Sequence, residues 1–172
     1  MTDRYWNRHT LGCPPQLHPW LHDHVSLTRR NQQRCQKFSV QVLSQGLQRI
    51  PYDEAALLRI APRELAHVRE VLLLADGNPV VFAHSVVAAK HLRGAWADLG
   101  KLGNRSLGSM LFTHPLVKRN ALHFKLLSAS NPLQCNQSTT PAWARRSVFT
   151  LQNAPLLVTE VFLPDILELG GT

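Results

Sequence analysis

Two charged positions in otherwise apolar strands suggest proton transfer beside an anion-binding group. Glu160 is the one charged residue in residues 156–162, a segment that is apolar on both faces. Arg69, which precedes Glu70, lies in the largely apolar segment 67–74. Strands of this kind are normally covered on both sides, so we expect these charges to be withdrawn from water. Desolvating a carboxylate without partners costs several kcal/mol, so Glu160 must be paired, protonated or used.

Two interpretations of these charges follow from the residues alone. In the first, Arg69 grips a substrate carboxylate with its planar, two-pronged guanidinium, and Glu160 handles a proton. In the second, the charges form a structural ion pair, either between Arg69 and Glu160 or between Glu160 and Arg145 or Arg146. Both interpretations stay open at this point, because functional and structural pairs occupy similar apolar surroundings.

Antiparallel hairpins are predicted to position these charges. Asp76 and Gly77 form a dipeptide typical of two-residue hairpin turns, and they separate two apolar strands. A second hairpin closes the chain and carries Glu160 in its returning strand. The predicted strands span residues 36–45, 67–74, 80–87, 116–127, 143–151 and 156–164.

Short helices and loops occupy the rest of the chain. Pro19 suits the first turn of a helix, where its missing N–H costs little. Asp53 is a residue type that caps helices. The predicted helices span residues 16–21, 53–58 and 107–112, and a polar surface loop spans 128–141.

The order of these elements predicts one α+β domain. Long strands joined by hairpins, with helices gathered elsewhere, favour an antiparallel sheet. We expect this domain to cover residues 14–172 and to follow a loosely ordered segment, residues 1–13. The chain of 172 residues and 19.4 kDa, with 44% hydrophobic residues, suits a single core.

Location and partners are constrained by composition. No apolar run approaches the roughly 20 residues that span a bilayer, and the first residues lack the apolar core of a signal peptide. We therefore expect a cytoplasmic protein that is not embedded in a membrane. We also expect it to be a monomer. The net charge of +8 would permit nucleic-acid binding, but the basic residues are scattered and form no recognition motif. A positive field equally suits a small polyanionic substrate.

The sequence contains no recognisable pattern of metal ligands. Cys13, Cys35 and Cys135 are widely spaced and form no CxxC pair, so neither a zinc site nor a disulfide framework is predicted. His67 and His84 could line a pocket, but the histidines match no metal-binding motif. GxGxxG, P-loop and GxSxG motifs are also missing from the sequence. We expect no metal and no cofactor.

Four segments resemble the bacterial chorismate pyruvate-lyase family in order and spacing. They are VREVLLLADGNP at 68–79, LGSMLFT at 107–113, WARRS at 143–147 and PLLVTEVFLP at 155–164. The first and last of these segments together are specific for this family, and amino-acid composition alone would not identify it. A weaker similarity extends back to about residue 14, so the resemblance covers most of the chain.

The resemblance implies a cofactor-independent lyase that cleaves chorismate to 4-hydroxybenzoate and pyruvate, the first committed step of ubiquinone biosynthesis. It implies that an antiparallel sheet, helices and flaps enclose a buried ligand pocket. By similarity, Arg69 binds the ring carboxylate together with backbone amides at Leu27 and Leu107. Glu160 meets the oxygen at the opposite end of the ring, as a general acid or only as a hydrogen-bond partner. Arg69 and Glu160 should then face each other across a ring-sized gap.

Two other functions remain alternatives. A related fold serves as the effector-binding domain of some bacterial transcription regulators, which would make this chain a non-catalytic binder of aromatic acids. Such a regulator needs a helix-turn-helix domain, and the sequence offers no room for one before residue 36. A basic nucleic-acid-binding module would show steeply salt-dependent binding to DNA or RNA. The lyase is therefore the leading hypothesis.

Overall fold

An antiparallel sheet forms the centre of this protein, as the sequence predicts. The computed structural model describes residues 5–134 and 139–170. The strands in these residues are β1 (Phe38–Gln48), β2 (Ala66–Ala75), β3 (Asn78–Ala88), β4 (Lys118–Arg119), β5 (His123–Leu127), β6 (Ala142–Leu151) and β7 (Ala154–Phe162). They pair in the order β1-β2-β3-β7-β6-β4, and β5 also pairs with β6. The α+β fold class is confirmed.

Two tight turns connect the strands of the central hairpins. Asp76 and Gly77 connect β2 to β3 with φ angles of 50° and 87°. Gln152 and Asn153 connect β6 to β7 with φ angles of 49° and 64°. Positive φ at both central residues is the geometry whose twist matches the flanking strands. The hairpin turn predicted at Asp76 and Gly77 is therefore confirmed.

The strand predicted over residues 116–127 is divided in two. Arg119 of β4 pairs with Phe149 of β6, and His123 of β5 pairs with Arg146. The chain advances four residues from Arg119 to His123 while β6 advances three, so one residue has no partner position. An extra residue on one strand interrupts the ladder at that point. The prediction of one continuous strand is wrong for this reason.

Short helices flank the sheet. They are α1 (His18–Leu21), α2 (Leu27–Gln32), α3 (Tyr52–Leu58) and α4 (Leu107–Thr113), with 3-10 segments at Ala89–Arg93, Ala97–Lys101, Pro132–Gln134 and Pro164–Gly170. Pro19 lies in the first turn of α1, as predicted. Asp53 does not cap α3, because Pro51 is the N-cap residue and Asp53 is the second residue of the helix. No helix among the described residues combines the length and hydrophobicity that crossing a bilayer requires.

The N-terminal boundary and the third cysteine lie partly outside what the structure describes. Asn7 forms an isolated bridge with Phe124, with backbone hydrogen bonds of 2.9 and 2.7 Å. The division of the chain at residue 13 stays a prediction. Cys13 and Cys35 carry free thiols, whereas Cys135 lies outside the described residues.

The sheet face that carries Arg69 and Glu160 packs against two apolar clusters. One, the Trp20 cluster, joins α1 to Val71, Leu73 and neighbouring core residues. The other, the Trp96 cluster, joins the 3-10 segments after β3 to α4 and to the β6–β7 hairpin. Trp20 and Trp96 are each only 2% exposed. On the reverse face, α3 packs against β3 and β7.

Candidate active site

A cavity lies between the Trp20 cluster and the Trp96 cluster, on the face that carries Arg69 and Glu160. Residues of α2 and α4 also line it, opposite the sheet. Its charged lining residues are Arg69, Arg119 and Glu160. Its apolar lining residues are Leu27, Val71, Leu73, Ala83, Leu107, Leu111, Phe112, Phe149 and Val158.

Small side chains on the central strand leave room for the cavity. Ala83 and Ser85 of β3 both line it. They are paired with Glu160 and Val158 of β7, respectively, and Ser85 is also paired with Arg69 of β2. Protein interiors are otherwise close-packed, so short side chains in the middle of the sheet keep space open above them.

Arg69 presents a buried guanidinium to the cavity, with 3% of the residue exposed. Its Nη1 donates to Oε1 of Gln45 at 2.7 Å, and its Nη2 donates to the carbonyl oxygens of Gly103 and Arg105 at 2.8 and 3.3 Å. Burial lowers the pKa of Arg69 from its usual value. No carboxylate of the described residues forms an ion pair with it. Neutral acceptors thus orient the guanidinium, and its charge remains for an anionic ligand.

Glu160 lines the same cavity and is held by Arg145 on the adjacent strand. Nε of Arg145 donates to Oε2 of Glu160 at 2.6 Å, and the two side chains are 1% and 16% exposed. Nη1 of Arg145 also donates to three carbonyl oxygens near the end of α1, those of Trp20, Leu21 and Asp23. Of the three structural pairs considered from the sequence, the pair between Glu160 and Arg145 is the one that forms. Within the described residues, Oε1 of Glu160 accepts no hydrogen bond, so it is available to a ligand.

Arg69 and Glu160 share the cavity without contacting each other. Arg69 of β2 pairs with Ser85 of β3. On the other side of β3, Glu160 of β7 pairs with Ala83, two residues away from Ser85. A strand spacing of about 4.8 Å and a rise of about 3.4 Å per residue place their Cα atoms about 12 Å apart. The direct pair that was one alternative is not formed. Nor does Arg146 pair with Glu160, because it bonds Asp53 on the reverse face at 2.7 Å.

Leu27 and Leu107 are the first residues of α2 and α4, and both line the cavity. Ser26 and Ser106 cap these helices, since each side chain accepts a hydrogen bond from the amide three residues further on. The first amides of a helix have no acceptor within it. The amides of Leu27 and Leu107 can therefore bind an acceptor outside their own helices.

Gly108 allows the two helix starts to approach each other. A Cβ atom at this position would lie 3.0 Å from Oγ1 of Thr28 and 3.3 Å from Oγ of Ser26. The hydroxyls of Thr28 and Ser106 hydrogen-bond to each other. The missing side chain therefore lets α2 and α4 meet beside the cavity.

Arg119 is a lining residue that the sequence analysis did not identify as part of the site. It follows Val117 by two residues, and alternate residues of a strand share a face. Val117 packs against the Trp96 cluster, so the two-residue spacing indicates that Arg119 faces the same side of the sheet. Arg119 became recognisable only when β4 was paired with β6.

Neither His67 nor His84 lines this cavity. On the reverse face, Nδ1 of His84 contacts Glu70 at 3.0 Å and Nε2 contacts Glu54 at 3.3 Å. Burial acts to lower the pKa of His84, but the hydrogen bonds and charges of Glu54 and Glu70 raise it to about 9. The pKa of His67 is lowered by burial and by the nearby Arg69. His84 thus serves to hold α3 against the sheet.

Comparison with known proteins assigns the chain to a family. The sequence model of the chorismate lyase family matches residues 3–170, nearly the whole chain. The protein belongs to the chorismate lyase family. The family resemblance stated from the sequence motifs is thereby confirmed.

Relatives in the chorismate lyase family match nearly the whole of this chain. A protein of Nitrosospira multiformis named "probable chorismate pyruvate-lyase" is 50% identical over 172 residues, covering 96% of each chain. A protein of the same name from Nitrosomonas europaea is 48% identical over 170 residues, covering 95% of this chain and 96% of its own.

Solved structures with the same fold come from transcription regulators. The C-terminal domain of PhnF superposes with a TM-score of 0.62 at 15% identity, covering 84% of this chain and 93% of its own. The ligand-binding domain of a GntR-family regulator from Bordetella bronchiseptica gives a TM-score of 0.56 at 15% identity, covering 75% and 86%. At these identities the likeness concerns the fold alone, and it agrees with the predicted relation to effector-binding domains.

Proposed function

We propose that this protein cleaves chorismate to 4-hydroxybenzoate and pyruvate without a metal or organic cofactor. The observation that carries the proposal is a cavity lined by Arg69, which has no carboxylate partner in the described residues, and by an available oxygen of Glu160. This arrangement suits a ring with a carboxylate at one end and an oxygen at the other. The names of the relatives support the same substrate.

The ring carboxylate of chorismate is assigned to Arg69 and to the helix starts. The guanidinium offers a planar fork for a carboxylate. The amides of Leu27 and Leu107 lie at the starts of helices that line the cavity, where N–H groups favour anions. The net charge of +8 favours the approach of a dianionic substrate.

The reaction is an elimination that makes the ring aromatic. The bond between ring carbon C3 and the ether oxygen breaks, and its electrons leave with the enolpyruvyl group. The hydrogen on C4 is lost as a proton, and its bonding electrons complete the aromatic ring. The enolate takes up a proton and becomes pyruvate. Because aromatisation supplies much of the driving force, the protein needs chiefly to orient the ring and to handle one proton.

Proton handling is assigned to Glu160. Arg145 fixes Oε2, which leaves Oε1 to meet the ring hydroxyl on C4. The ether oxygen is attached to the adjacent carbon, so one carboxyl group can serve both positions. Glu160 acts there as a general acid toward the departing ether oxygen or as a hydrogen-bond partner that holds the hydroxyl.

The cellular setting is part of the same proposal. Release of 4-hydroxybenzoate supplies the aromatic precursor of ubiquinone, in keeping with the family. We place the protein in the cytoplasm as a monomer, and the free thiols of Cys13 and Cys35 are compatible with a reducing compartment. Light scattering on the purified protein measures the oligomeric state.

A turnover assay tests the proposed activity. The purified protein is incubated with chorismate and a chelator, pyruvate is followed by coupled reduction with lactate dehydrogenase, and 4-hydroxybenzoate is quantified by chromatography. Equimolar products formed above the rate of heat-inactivated protein are expected. Binding of 4-hydroxybenzoate without any pyruvate release would contradict the lyase and favour the non-catalytic binding protein.

A further inference from the structure

Arg119 places a second cation at the cavity, and the recognition described above leaves it unused. It lies in β4 opposite Phe149. Its guanidinium carbon is 5.2 Å from the centre of the Phe149 ring and 5.5 Å from that of Phe112. All three residues line the cavity. The two aromatic rings therefore help to hold the cation at the cavity wall.

Neutral groups orient Arg119. Its Nε donates to Oγ of Ser147 at 2.8 Å, and its Nη1 donates to the carbonyl oxygen of His24 at 3.4 Å. No carboxylate of the described residues lies within ion-pair distance. Burial is the main cause that lowers the pKa of Arg119 to about 10, so the group is still charged at neutral pH. A partly buried cation without a direct ion-pair partner is costly, and an anionic ligand would offset that cost.

The charges around the cavity match a dianion. Arg145 and Glu160 neutralise each other through their 2.6 Å hydrogen bond. Arg69 and Arg119 remain, each without a carboxylate partner in the described residues. A ligand with one carboxylate, on the ring, would neutralise the charge of Arg69 only. A ligand with a second carboxylate would satisfy Arg119 as well.

The position of Arg119 agrees with the second carboxylate of chorismate. Its bond to Ser147 directs the guanidinium toward β6, beside the strand that carries Glu160. The enolpyruvyl group is attached next to the ring hydroxyl that Glu160 meets in the proposed orientation. We infer that Arg119 binds the carboxylate of the enolpyruvyl side chain, an inference that rests on the proposed function. Because 4-hydroxybenzoate lacks this carboxylate, Arg119 would distinguish substrate from product.

Two binding measurements and one kinetic measurement test this role. The probes are 4-hydroxybenzoate and its dianionic derivative 3-(carboxymethoxy)-4-hydroxybenzoate, each titrated by calorimetry. In Arg119→Gln, the Kd of the dianion should rise about 10- to 100-fold, the range expected for losing a charged hydrogen bond, and that of 4-hydroxybenzoate less than 3-fold. With chorismate, KM should rise while kcat stays nearly constant, because the contact persists in the transition state.

Lys118→Gln is the matched control. Lys118 is exposed on the same strand, so its removal lowers the net charge equally but should leave the ratio of the two Kd values unchanged. An unchanged ratio in Arg119→Gln, or an equal loss of both ligands, would overturn the inference. If Arg119→Gln does not fold, Arg119→Lys must still raise the ratio, and failure of both to fold would assign Arg119 a structural role instead. Absence of turnover in the unsubstituted protein would count against the proposed function, independently of the Kd ratio.

Discussion

The guanidinium of Arg145 joins the carboxylate of Glu160 to the end of α1. Its Nε bonds Oε2 of Glu160 at 2.6 Å, and its Nη1 bonds the carbonyl oxygens of Trp20, Leu21 and Asp23 at 3.1, 3.2 and 2.7 Å. Carbonyls at the end of a helix lack partners within it. One buried side chain thus orients the site carboxylate and anchors the N-terminal segment.

Replacing Arg145 should destabilise the protein strongly. In Arg145→Met, Glu160 loses its ion-pair partner and three carbonyls lose a donor, so we expect the free energy of unfolding to fall by about 3–5 kcal/mol. Urea denaturation followed by circular dichroism measures this loss. Arg146→Met is the matched control, because Arg146 pairs with an Asp53 side chain that is 55% exposed, and it should cost about 1 kcal/mol. Equal losses in the two variants would contradict the anchoring role.

Replacing Arg69 should chiefly weaken ligand binding. Arg69→Gln removes the guanidinium that we assign to the ring carboxylate, so the Kd of 4-hydroxybenzoate should rise about 10- to 100-fold in calorimetric titrations. Arg63→Gln is the control, since Arg63 is exposed and does not line the cavity. Unaltered affinity in a folded Arg69→Gln protein would remove Arg69 from the site.

Replacing Glu160 should slow turnover without loss of binding. In Glu160→Gln the side chain keeps an oxygen that can accept from Arg145 but loses the ionisable group, so kcat should fall about 100-fold or more. The Kd of 4-hydroxybenzoate should change less than 3-fold. Steady-state kinetics and titration measure the two quantities, and Glu168→Gln on an exposed residue serves as the control. A kcat that matches the unsubstituted protein would show that Glu160 does not handle the proton.

Adding a methyl group at Gly108 should disturb the helix starts. Its Cβ would lie 3.0 Å from Oγ1 of Thr28, so this hydroxyl must give way by a few tenths of an ångström and its hydrogen bond to Ser106 is disturbed. We expect Gly108→Ala to raise the Kd of 4-hydroxybenzoate about 10-fold, which equals about 1.4 kcal/mol. Gly100→Ala is the control, because no atom lies within 4 Å of the added Cβ there. Similar affinities for the two variants would mean that ligand binding does not depend on the close approach of α2 and α4.

Local patterns were sufficient to predict the central hairpins. Asp76 and Gly77 can both adopt positive φ, and alternation along β2 and β7 fixes which side chains share a face. That was enough to place Arg69 and Glu160 on one face of the sheet. The break between β4 and β5 was missed because it depends on the register with β6, which the chain's own periodicity does not encode.

Long-range contacts of the site could not be predicted. Arg145 bonds carbonyls more than 120 residues earlier in the chain, and backbone carbonyls carry no sequence signature. The sequence therefore left Arg145 and Arg146 as equal partners for Glu160. Similarly, the spacing of Val117 and Arg119 was the one local signal for Arg119, and it was insufficient because the neighbours of Arg119 across the sheet come from the C-terminal hairpin.

The buried cluster around His84 should make stability depend on pH. Burial opposes its protonation, but Glu54 and Glu70 raise the pKa of His84 from 6.5 to about 9. A pKa that is higher in the folded state stabilises the protein fully below about 6.5, and this stabilisation is lost as the pH rises through about 9. The difference between these two pKa values corresponds to about 3 kcal/mol in the free energy of unfolding. The free energy of unfolding should therefore decrease between pH 6.5 and 9.5.

His84→Gln isolates this contribution. Glutamine can still donate to a carboxylate but does not titrate, so the variant should be less stable than the unsubstituted protein at pH 6, with the difference shrinking toward pH 9.5. Urea denaturation of both proteins at pH 6, 7.5 and 9.5 gives the difference directly, and other titrating groups cancel in the subtraction. Parallel stability curves would mean that the His84 proton is not retained by the folded state. A difference that closes as the pH rises would instead show that the folded state retains the His84 proton, in keeping with the contacts of His84 with Glu54 and Glu70 on the reverse face.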